Sequence, residues 1–444
     1  MKSICVRFTV LVLPCLLLTQ SAKAQERPTE EIVHSLRSDD PPAVGKLIDS
    51  LTAEELNRTA IVRELTHMLD DQRSVRGGIF SESIHRVVWF KMLDLKSAAV
   101  VTILEEAPSL DEDWTRVSAF EVILRICEPD PKAFTLTLPL CKSKDESLRS
   151  ISVSALSNLS DSSSDSIDLF GKFLQDPAPV VQWAAMDALA ERHGRAAKYV
   201  PEIMKLLDSK EVVRFAVSNH FAWPEEVSWR AAKLLGEIGQ EAELVLPKLK
   251  AIAGPESPKN VRVWSAFAIC QVSKTRPTKY LRLLGDLLLD DMQKDFTMSD
   301  TVEAITLLGT KAVSLVPVLE QAKAHADSTV RLSLVDAFYA VDPGSALKRS
   351  LPLIDDENRR VASSVIRNLS ERQILDRKFV AACARVVARC DGFSDEAAVA
   401  AVSALSKLGP RARSAIPALE ELSRQPEITE SLKRDVEEAL AKLR

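Results

Sequence analysis

The stretch VSWRAAKLLGEIG at residues 227–239 recurs almost position for position as AAVAAVSALSKLG at residues 397–409. In both stretches, apolar or small residues stand at the first, fifth, sixth and ninth positions, which places them on one face of an α-helix. The small residues on this face allow a neighbouring helix to approach closely. The closing glycine is typical of the residue that ends a helix. Each stretch therefore predicts a helix that packs against other helices and ends at its glycine.

In several segments a proline follows the glycine after seven or eight residues. The pairs are Gly194 with Pro201, Gly239 with Pro247, Gly309 with Pro317, Gly344 with Pro352, and Gly409 with Pro417. Successive prolines are 46, 70, 35 and 65 residues apart, which fits a unit of about 35 residues that is sometimes doubled or extended. Proline lacks an N–H and therefore suits the first turn of the next helix. The unit is predicted to be helix, turn, helix, turn.

About ten such units follow one another along the chain. Their first helices are predicted to start near residues 84, 112, 147, 179, 226, 260, 298, 329, 358 and 395. Asp145, Asp176 and Asp327 precede three of these helices and are predicted N-caps. One two-helix unit cannot bury its apolar face alone, so stacked units must share a continuous core. The sequence thus predicts an all-α fold in which helix pairs stack into an α–α superhelix.

This series of units resembles HEAT repeats, in the short form that also occurs in phycobilisome-lyase-like proteins. The resemblance is carried by Val261-Arg262 with Ser265-Ala266, by Val330-Arg331 after Asp327, and by the run from Leu408-Gly409-Pro410 to Ile416-Pro417. It covers about residues 84–444 and implies a right-handed α-solenoid of about ten two-helix repeats that serves as a binding or scaffolding surface. Val181 and Ser228 depart from the pattern, because arginine is typical at their positions.

Four regions are predicted along the chain. Residues 1–24 are a signal peptide, and residues 25–83 are an N-terminal helical cap or degenerate repeats. Residues 84–426 are the HEAT-like repeat array, with an insertion near residues 211–226. Residues 427–444 are a C-terminal capping helix.

The N-terminus predicts export. Lys2 and Arg7 accompany an apolar stretch at residues 8–18, and the pattern AKA at residues 22–24 has the small-x-small form of a cleavage site. The apolar stretch is too short to cross a bilayer of about 30 Å. A buried first helix, a membrane anchor and lipoprotein processing at Cys15 are the alternatives. We expect an exported protein, periplasmic or extracellular, with no transmembrane span in the mature chain.

The charge balance argues against nucleic acid as a partner. The whole chain has a net charge of −5, and removal of the three basic residues of the predicted signal peptide makes the balance more acidic. Binding to a phosphate backbone normally requires a basic surface. We therefore expect a protein partner and no nucleic acid.

No motif in the sequence indicates catalysis or metal binding. The six histidines have no metal-ligand spacing, and neither H-E-x-x-H, C-x-x-C, G-x-S-x-G nor a Walker A loop is present. Acidic runs at residues 111–113, 290–291 and 355–357 fall in predicted turns, where solvated helix caps are the simpler interpretation. We expect no catalytic residue, no cofactor and no metal site.

Five cysteines follow the predicted signal peptide: Cys127, Cys141, Cys270, Cys383 and Cys390. An odd number at irregular spacing does not indicate a disulfide framework, so small buried apolar residues are the preferred interpretation. A bridge between Cys127 and Cys141 is the alternative, and it needs a shifted register of the two helices that these residues flank.

The insertion is the preferred candidate for partner binding. It carries Phe215, His220, Phe221 and Trp223, and insertions in solenoids fall on one edge and often bind ligands. The alternative is that these aromatic side chains pack back onto neighbouring helices as a local core.

Three tryptophans form a second candidate feature. Trp183 and Trp264 occupy equivalent positions in their units, and Trp229 lies one position away. A tryptophan ridge over consecutive units would provide binding hot spots. The alternative is that the three rings fill space between units.

Taken together, these patterns favour an exported, non-catalytic scaffold that binds another protein or an envelope component. Its contact surface is expected along the concave second helices, with help from the insertion. Two alternatives remain: a structural spacer without a specific site, and a HEAT-like enzyme or a cofactor-handling, lyase-like protein.

Overall fold

Paired helices make up most of the chain, of which 78% is helical. The computed structural model describes residues 27–76, 82–110, 113–160, 164–213, 225–291, 300–325, 328–390 and 395–444. The chain divides into two compact units, Met1–Glu128 and Pro129–Arg444. The boundary predicted between the N-terminal cap (residues 25–83) and the repeat array (residues 84–426) marks where regular repeats begin. It does not refer to the division between these two units, and it remains a prediction.

Unit 1 contains seven described helices and one small hairpin. The helices are α1 (Thr29–Leu36), α2 (Pro41–Ser50), α3 (Ala53–Leu56), α4 (Thr59–His67), α5 (Ile84–Met92), α6 (Ala99–Glu106) and α7 (Asp113–Ile126). Met68–Asp70 and Ala107–Ser109 are short 3₁₀ helices. Strands β1 (Ser74–Arg76) and β2 (Glu82–Ser83) pair antiparallel, with Ser74 opposite Ser83.

Unit 2 is the longer array. Its helices are α8 (Pro131–Thr137), α9 (Glu146–Leu159), α10 (Ser164–Phe173), α11 (Pro179–Ala190), α12 (Val200–Leu206), α13 (Val227–Ile238), α14 (Leu246–Ile252), α15 (Lys259–Val272), α16 (Thr278–Asp291), α17 (Asp300–Leu308), α18 (Val316–Gln321), α19 (Ser328–Val341), α20 (Ala346–Ser350), α21 (Arg359–Glu371), α22 (Arg377–Ala388), α23 (Glu396–Leu408), α24 (Ile416–Arg424) and α25 (Glu430–Leu443). Strands β3 (Val212–Val213) and β4 (Glu225–Glu226) pair antiparallel. The 3₁₀ segments are Leu140–Lys142, His193–Tyr199, Gly239–Val245, Gly309–Leu315, Ala322–Ala324, Leu351–Asp355 and Gly409–Ala415.

The helices of unit 2 form two layers. The odd-numbered helices from α9 to α25 pack each on the next, and we call them the A helices. The even-numbered helices pack behind them and are the B helices. The A helices begin within two residues of the starts expected from the sequence. The predicted all-α fold of stacked helix pairs is therefore confirmed, and burial of apolar side chains between successive A helices holds the stack together.

The junction from A helix to B helix follows the glycine and proline pattern. Gly239, Gly309 and Gly409 end their A helices with φ of 84°, 57° and 56°, values that favour glycine because it has no Cβ. Pro247 and Pro417 are the second residues of α14 and α24, as the sequence predicted. The intervening residues form a 3₁₀ segment, which the sequence pattern did not distinguish from a simple turn.

The predicted N-caps have mixed outcomes. Asp145 caps α9 by accepting a hydrogen bond from the Leu148 N–H at 2.6 Å. The prediction for Asp176 was wrong, because Ala178 occupies the N-cap position of α11. Asp176 instead binds Arg149 of the preceding A helix through both carboxylate oxygens, at 2.9 and 3.1 Å. Asp327 lies outside the described residues.

A second pair of the same kind joins α19 to the loop before α21. The Arg331 guanidinium donates to both oxygens of Asp356 at 2.8 and 3.0 Å and to the carbonyl of His325 at 2.5 Å. Both side chains are buried. Aspartate–arginine pairs therefore link successive repeats at Arg149 and at Arg331, each of which follows an apolar residue near the start of its A helix. Val181 and Ser228 stand at the equivalent positions of α11 and α13, and aromatic packing, described below, links the repeats there.

One stretch of the described chain, Asp300–Ala324, is long and apolar enough to cross a membrane, with a mean hydropathy of 1.6. In the structure it is a helix pair, α17 and α18, interrupted at Gly309. Val302, Ile305 and Leu319 from this stretch lie in the core of unit 2. The apolar residues of this stretch thus contribute to the core between repeats.

None of the five cysteines in the described part of the chain forms a disulfide bond. Cys141, Cys270, Cys383 and Cys390 are buried, as expected for small apolar residues, whereas Cys127 is partly exposed. Burial raises the pKa of the Cys141, Cys270 and Cys383 thiols to about 12. These thiols are therefore protonated and unreactive at neutral pH.

Candidate functional site

The four aromatic and histidine residues predicted for partner binding, Phe215, His220, Phe221 and Trp223, lie outside the described residues. The structure describes the base from which their segment departs. Val213 pairs with Glu225 and Val212 with Glu226 in the β3–β4 ladder. The Val213 side chain is buried, and β3 contacts α11. The insertion thus leaves and re-enters the array at one anchored point, and its role in binding stays a prediction.

The three predicted ridge residues meet in space as a tryptophan ladder, formed by Trp183, Trp229 and Trp264. The rings of Trp183 and Trp229 meet edge to face with centroids 4.8 Å apart. Trp229 and Trp264 stack with centroids 5.8 Å apart and an interplanar angle of 22°. Phe267 extends the ladder by an edge-to-face contact with Trp264 at 5.6 Å. The ladder therefore runs across three consecutive A helices, α11, α13 and α15.

The rings of the tryptophan ladder are largely withdrawn from solvent. Trp183 is 6% exposed, Trp229 is 9% exposed and Trp264 is fully buried. Aromatic pairs in these arrangements stabilise a fold by about 0.5–1.5 kcal/mol beyond their burial. The ladder thus packs neighbouring repeats together in the region where Val181 and Ser228 replace arginine. Contact of these rings with a partner remains a prediction.

Small residues bring α13 and α15 close enough for this stacking. A Cβ placed on Gly236 would lie 2.5 Å from the Phe267 ring and 2.9 Å from the Ala268 Cα. Ala231 and Ala232 on α13 are also fully buried. This agrees with the close approach that the small residues of the 227–239 stretch predict.

Four carboxylates lie beside the tryptophan ladder at the edge where B helices lead into A helices. We call Glu225, Glu226, Asp300 and Glu303 the carboxylate cluster. Glu225 accepts a hydrogen bond from Trp229 Nε1 at 2.8 Å. Glu303 accepts one from Lys233 Nζ at 2.6 Å, and this ammonium lies 4.3 Å from the Trp264 ring centroid. No sequence motif signalled this cluster, because its two halves are more than 70 residues apart.

Burial and mutual repulsion disfavour the charged forms of two members. Burial raises the pKa of Glu225, and the nearby Asp300 and Glu226 raise it further, against the opposing hydrogen bond from Trp229. Burial also raises the pKa of Asp300, and Glu303 adds to the effect. The ammonium groups of Lys233 and Lys259 oppose the rise for Asp300 without cancelling it. The folded state therefore holds protons on these carboxylates more tightly than the unfolded chain does.

This difference predicts a pH-dependent stability with a definite sign. The contribution of Asp300 to stability is fully present below the ordinary carboxyl pKa of about 4, and it is lost as pH rises from there through the raised pKa of the folded state. We expect Asp300→Asn to raise the urea midpoint of unfolding at pH 7.5, with a gain that shrinks as the pH is lowered to about 4, the ordinary carboxyl range. Parallel urea titrations at both pH values measure this.

The matched control for this substitution is Glu438→Gln. Lys442 lowers the pKa of Glu438 on the surface of α25, so removing that charge brings no gain at pH 7.5. A destabilised Asp300→Asn protein with an unchanged pH profile would contradict the prediction.

Two further observations on the described side chains concern metal binding and surface depressions. No group of three or more histidine, cysteine, aspartate or glutamate residues within the described ranges has the geometry to hold a metal ion. One surface depression in the described part of the chain is lined by residues that include Lys323, His325, Arg331 and Asp356. Two of these, Arg331 and Asp356, bind each other and so are engaged in structure.

Comparison with known proteins yields distant similarities to solved structures. No protein-family model matches the sequence, and no curated protein matches it. Importin beta crystallised in ammonium sulfate shares 12% identity at a TM-score of 0.44, covering 94% of this chain and 64% of its own. The complex of CpcE and CpcF of phycocyanin lyase from Nostoc sp. PCC7120 shares 16% identity at a TM-score of 0.32, covering 63% and 94%. A structure of Kap95p with RanGDP shares 12% identity at a TM-score of 0.40, covering 96% and 70%.

These values concern overall architecture and transfer no activity to this chain. The evidence for the repeat fold lies in the molecule itself: regularly spaced A and B helices, glycine-ended A helices, and core residues shared between neighbours. The chain is a HEAT-like α-solenoid, and the resemblance drawn from its sequence is confirmed at the level of fold.

Proposed function

We propose that this protein is an exported, non-catalytic scaffold that binds another protein or an envelope component through its repeat surface. The observation that carries the proposal is the anchored insertion. Its two ends pair as β3 and β4, and Val213 is buried against the array. A segment held at its base by a rigid stack is well placed to contact a partner at one edge.

The amino acids of the insertion support this role. Phe215, Phe221 and Trp223 lie within an eleven-residue excursion between Val213 and Glu225. Aromatic residues are enriched at the centres of protein interfaces, because they bury a large area at a low entropic cost. The A helix that follows, α13, is buried along most of its length and so provides a firm support.

The test is a cross-linking pull-down from native envelope extract with the full chain tagged at its C-terminus. The variant changes Phe221 and Trp223 to alanine together. We expect a reproducible partner with the wild-type chain and its loss with this variant. The matched control changes Leu244 and Leu375 to alanine, two exposed apolar residues in segments that join an A helix to the following B helix, and should retain the partner.

Retention of the partner by the Phe221/Trp223 variant would move the binding site to the helical faces. Absence of any partner in repeated experiments would favour a spacer. Export is tested separately by determining the N-terminus of the protein recovered from the cell envelope. The proposal expects a chain that begins at Gln25, and an intact Met1 would contradict it.

A further inference from the structure

A single lysine connects two A helices that are not neighbours in the stack. Lys233 on α13 reaches Glu303 on α17, with Nζ and Oε1 2.6 Å apart. Helix α15 lies between them and packs against both. Since the bridge passes over the middle helix, α13 and α17 must converge in front of α15. The A layer is therefore concave at this point.

The helix beneath the bridge is unusual in its burial. Beyond Arg262, α15 carries no charged residue, and every position from Val263 to Cys270 is buried. An A helix at the surface of such a stack normally keeps a polar face towards solvent. Here the bridge replaces that polar face, because the Lys233 ammonium lies 4.3 Å from the centroid of the Trp264 ring.

Other charged residues surround the Lys233–Glu303 bridge. Asp300, at the start of α17, interacts electrostatically with Lys233 and with Lys259 at the start of α15. Arg230, one turn before Lys233, binds Asp187 of α11 at 2.5 Å. Ion pairs thus run across the A layer from α11 to α17, and Lys233 is the member that spans the uncharged part of α15 beyond Arg262.

We propose that Lys233 is a latch that holds α13 and α17 closed over α15 and so sets the local curvature of the A layer. When the latch opens, the two flanking helices separate and the Trp264 face of α15 becomes accessible. This inference concerns the free chain and does not depend on the proposed function.

Added salt should weaken the Lys233–Glu303 ion pair of the latch. Lys233 is 17% exposed and Glu303 is 47% exposed, so salt screens their attraction. The cation–π contact adds to the ion pair and is less sensitive to screening. Loss of both contacts predicts that the amides of α15 exchange with solvent about tenfold faster.

The experiment is hydrogen–deuterium exchange with mass spectrometry on the purified full chain. Lys233→Met removes both contacts, and Glu303→Gln removes the ion pair while keeping the side chain's shape. We expect faster exchange in α15 and in the first turn of α17 for both variants, with the larger effect for Lys233→Met. Raising the salt concentration should accelerate the same peptides in the wild-type chain.

The matched control is Lys248→Met. Lys248 makes a similar bridge to Asp208, 2.5 Å long, but it joins adjacent repeats in the B layer and leaves α15 covered. Exchange in α15 should therefore match the wild-type rate in this variant. If Glu303→Gln leaves α15 exchange unchanged at low salt, Lys233 is only a surface ion pair and the proposal fails. Glu303 is half exposed, so we expect Glu303→Gln to fold. This variant therefore tests the proposal even if Lys233→Met does not fold.

Discussion

Replacing Trp264 with alanine should lower the free energy of unfolding by about 3–5 kcal/mol. Trp264 is fully buried, stacks on Trp229 at 5.8 Å and contacts Phe267 at 5.6 Å. Its removal leaves a cavity between α13 and α15 and also exposes the underside of Lys233. Urea denaturation followed by far-ultraviolet circular dichroism measures the loss.

The control for this substitution is Leu244→Ala in the same unit. Leu244 is 57% exposed, and surface substitutions of this kind usually change stability by less than about 0.5 kcal/mol. If Trp264→Ala were as mild as Leu244→Ala, the tryptophan ladder would not be a structural element of the array. Binding measurements on a folded Trp183 variant would then be the next test of the ridge interpretation.

Replacing Asp356 with alanine should cost about 3–5 kcal/mol, because it removes the bidentate carboxylate that pairs with the buried Arg331 guanidinium. The pair is bidentate at 2.8 and 3.0 Å, and both side chains are almost fully withdrawn from water. The unfolding transition of the variant should shift to lower urea, and proteolysis should cut first near α19 and α21.

Two further variants separate the cost of breaking the pair from the value of the pair. Joint replacement of Arg331 by Met and Asp356 by Leu should destabilise less than Asp356→Ala alone, since both charges of the buried pair are removed together. Glu421→Ala breaks an exposed pair with Arg424 and should cost less than about 1 kcal/mol. Equal losses for Asp356→Ala and Glu421→Ala would show that burial does not strengthen this link between repeats.

Local patterns in the sequence predicted the elements of the fold well. The spacing of small and apolar residues located the A helices, and glycine and proline located the ends of several. These predictions depend on interactions within about one or two turns, where helical periodicity and backbone sterics dominate. The assignment of Asp176 as a cap was wrong because Asp176 lies two residues before the N-cap position, Ala178. Its carboxylate binds Arg149 of another repeat, a contact that no local pattern indicates.

The candidate site was predictable only in part. Equivalent positions in successive units indicated that Trp183, Trp229 and Trp264 belong to one feature, and the structure brings them into contact. The carboxylate cluster and the Lys233 bridge had no sequence signal. Their members come from different repeats, and their meeting depends on how far each A helix turns relative to the next.

The sequence by itself determined an all-α chain of repeated helix pairs, with their starts, their glycine ends and their shared core, because these features follow from short-range periodicity. It also raised the expectations of export and of a binding insertion, which experiment must still test. Only the tertiary structure decided that the tryptophans stack, that four carboxylates gather beside them, and that one lysine spans a buried helix. These contacts join residues far apart in the chain, and their geometry arises from the packing of whole repeats.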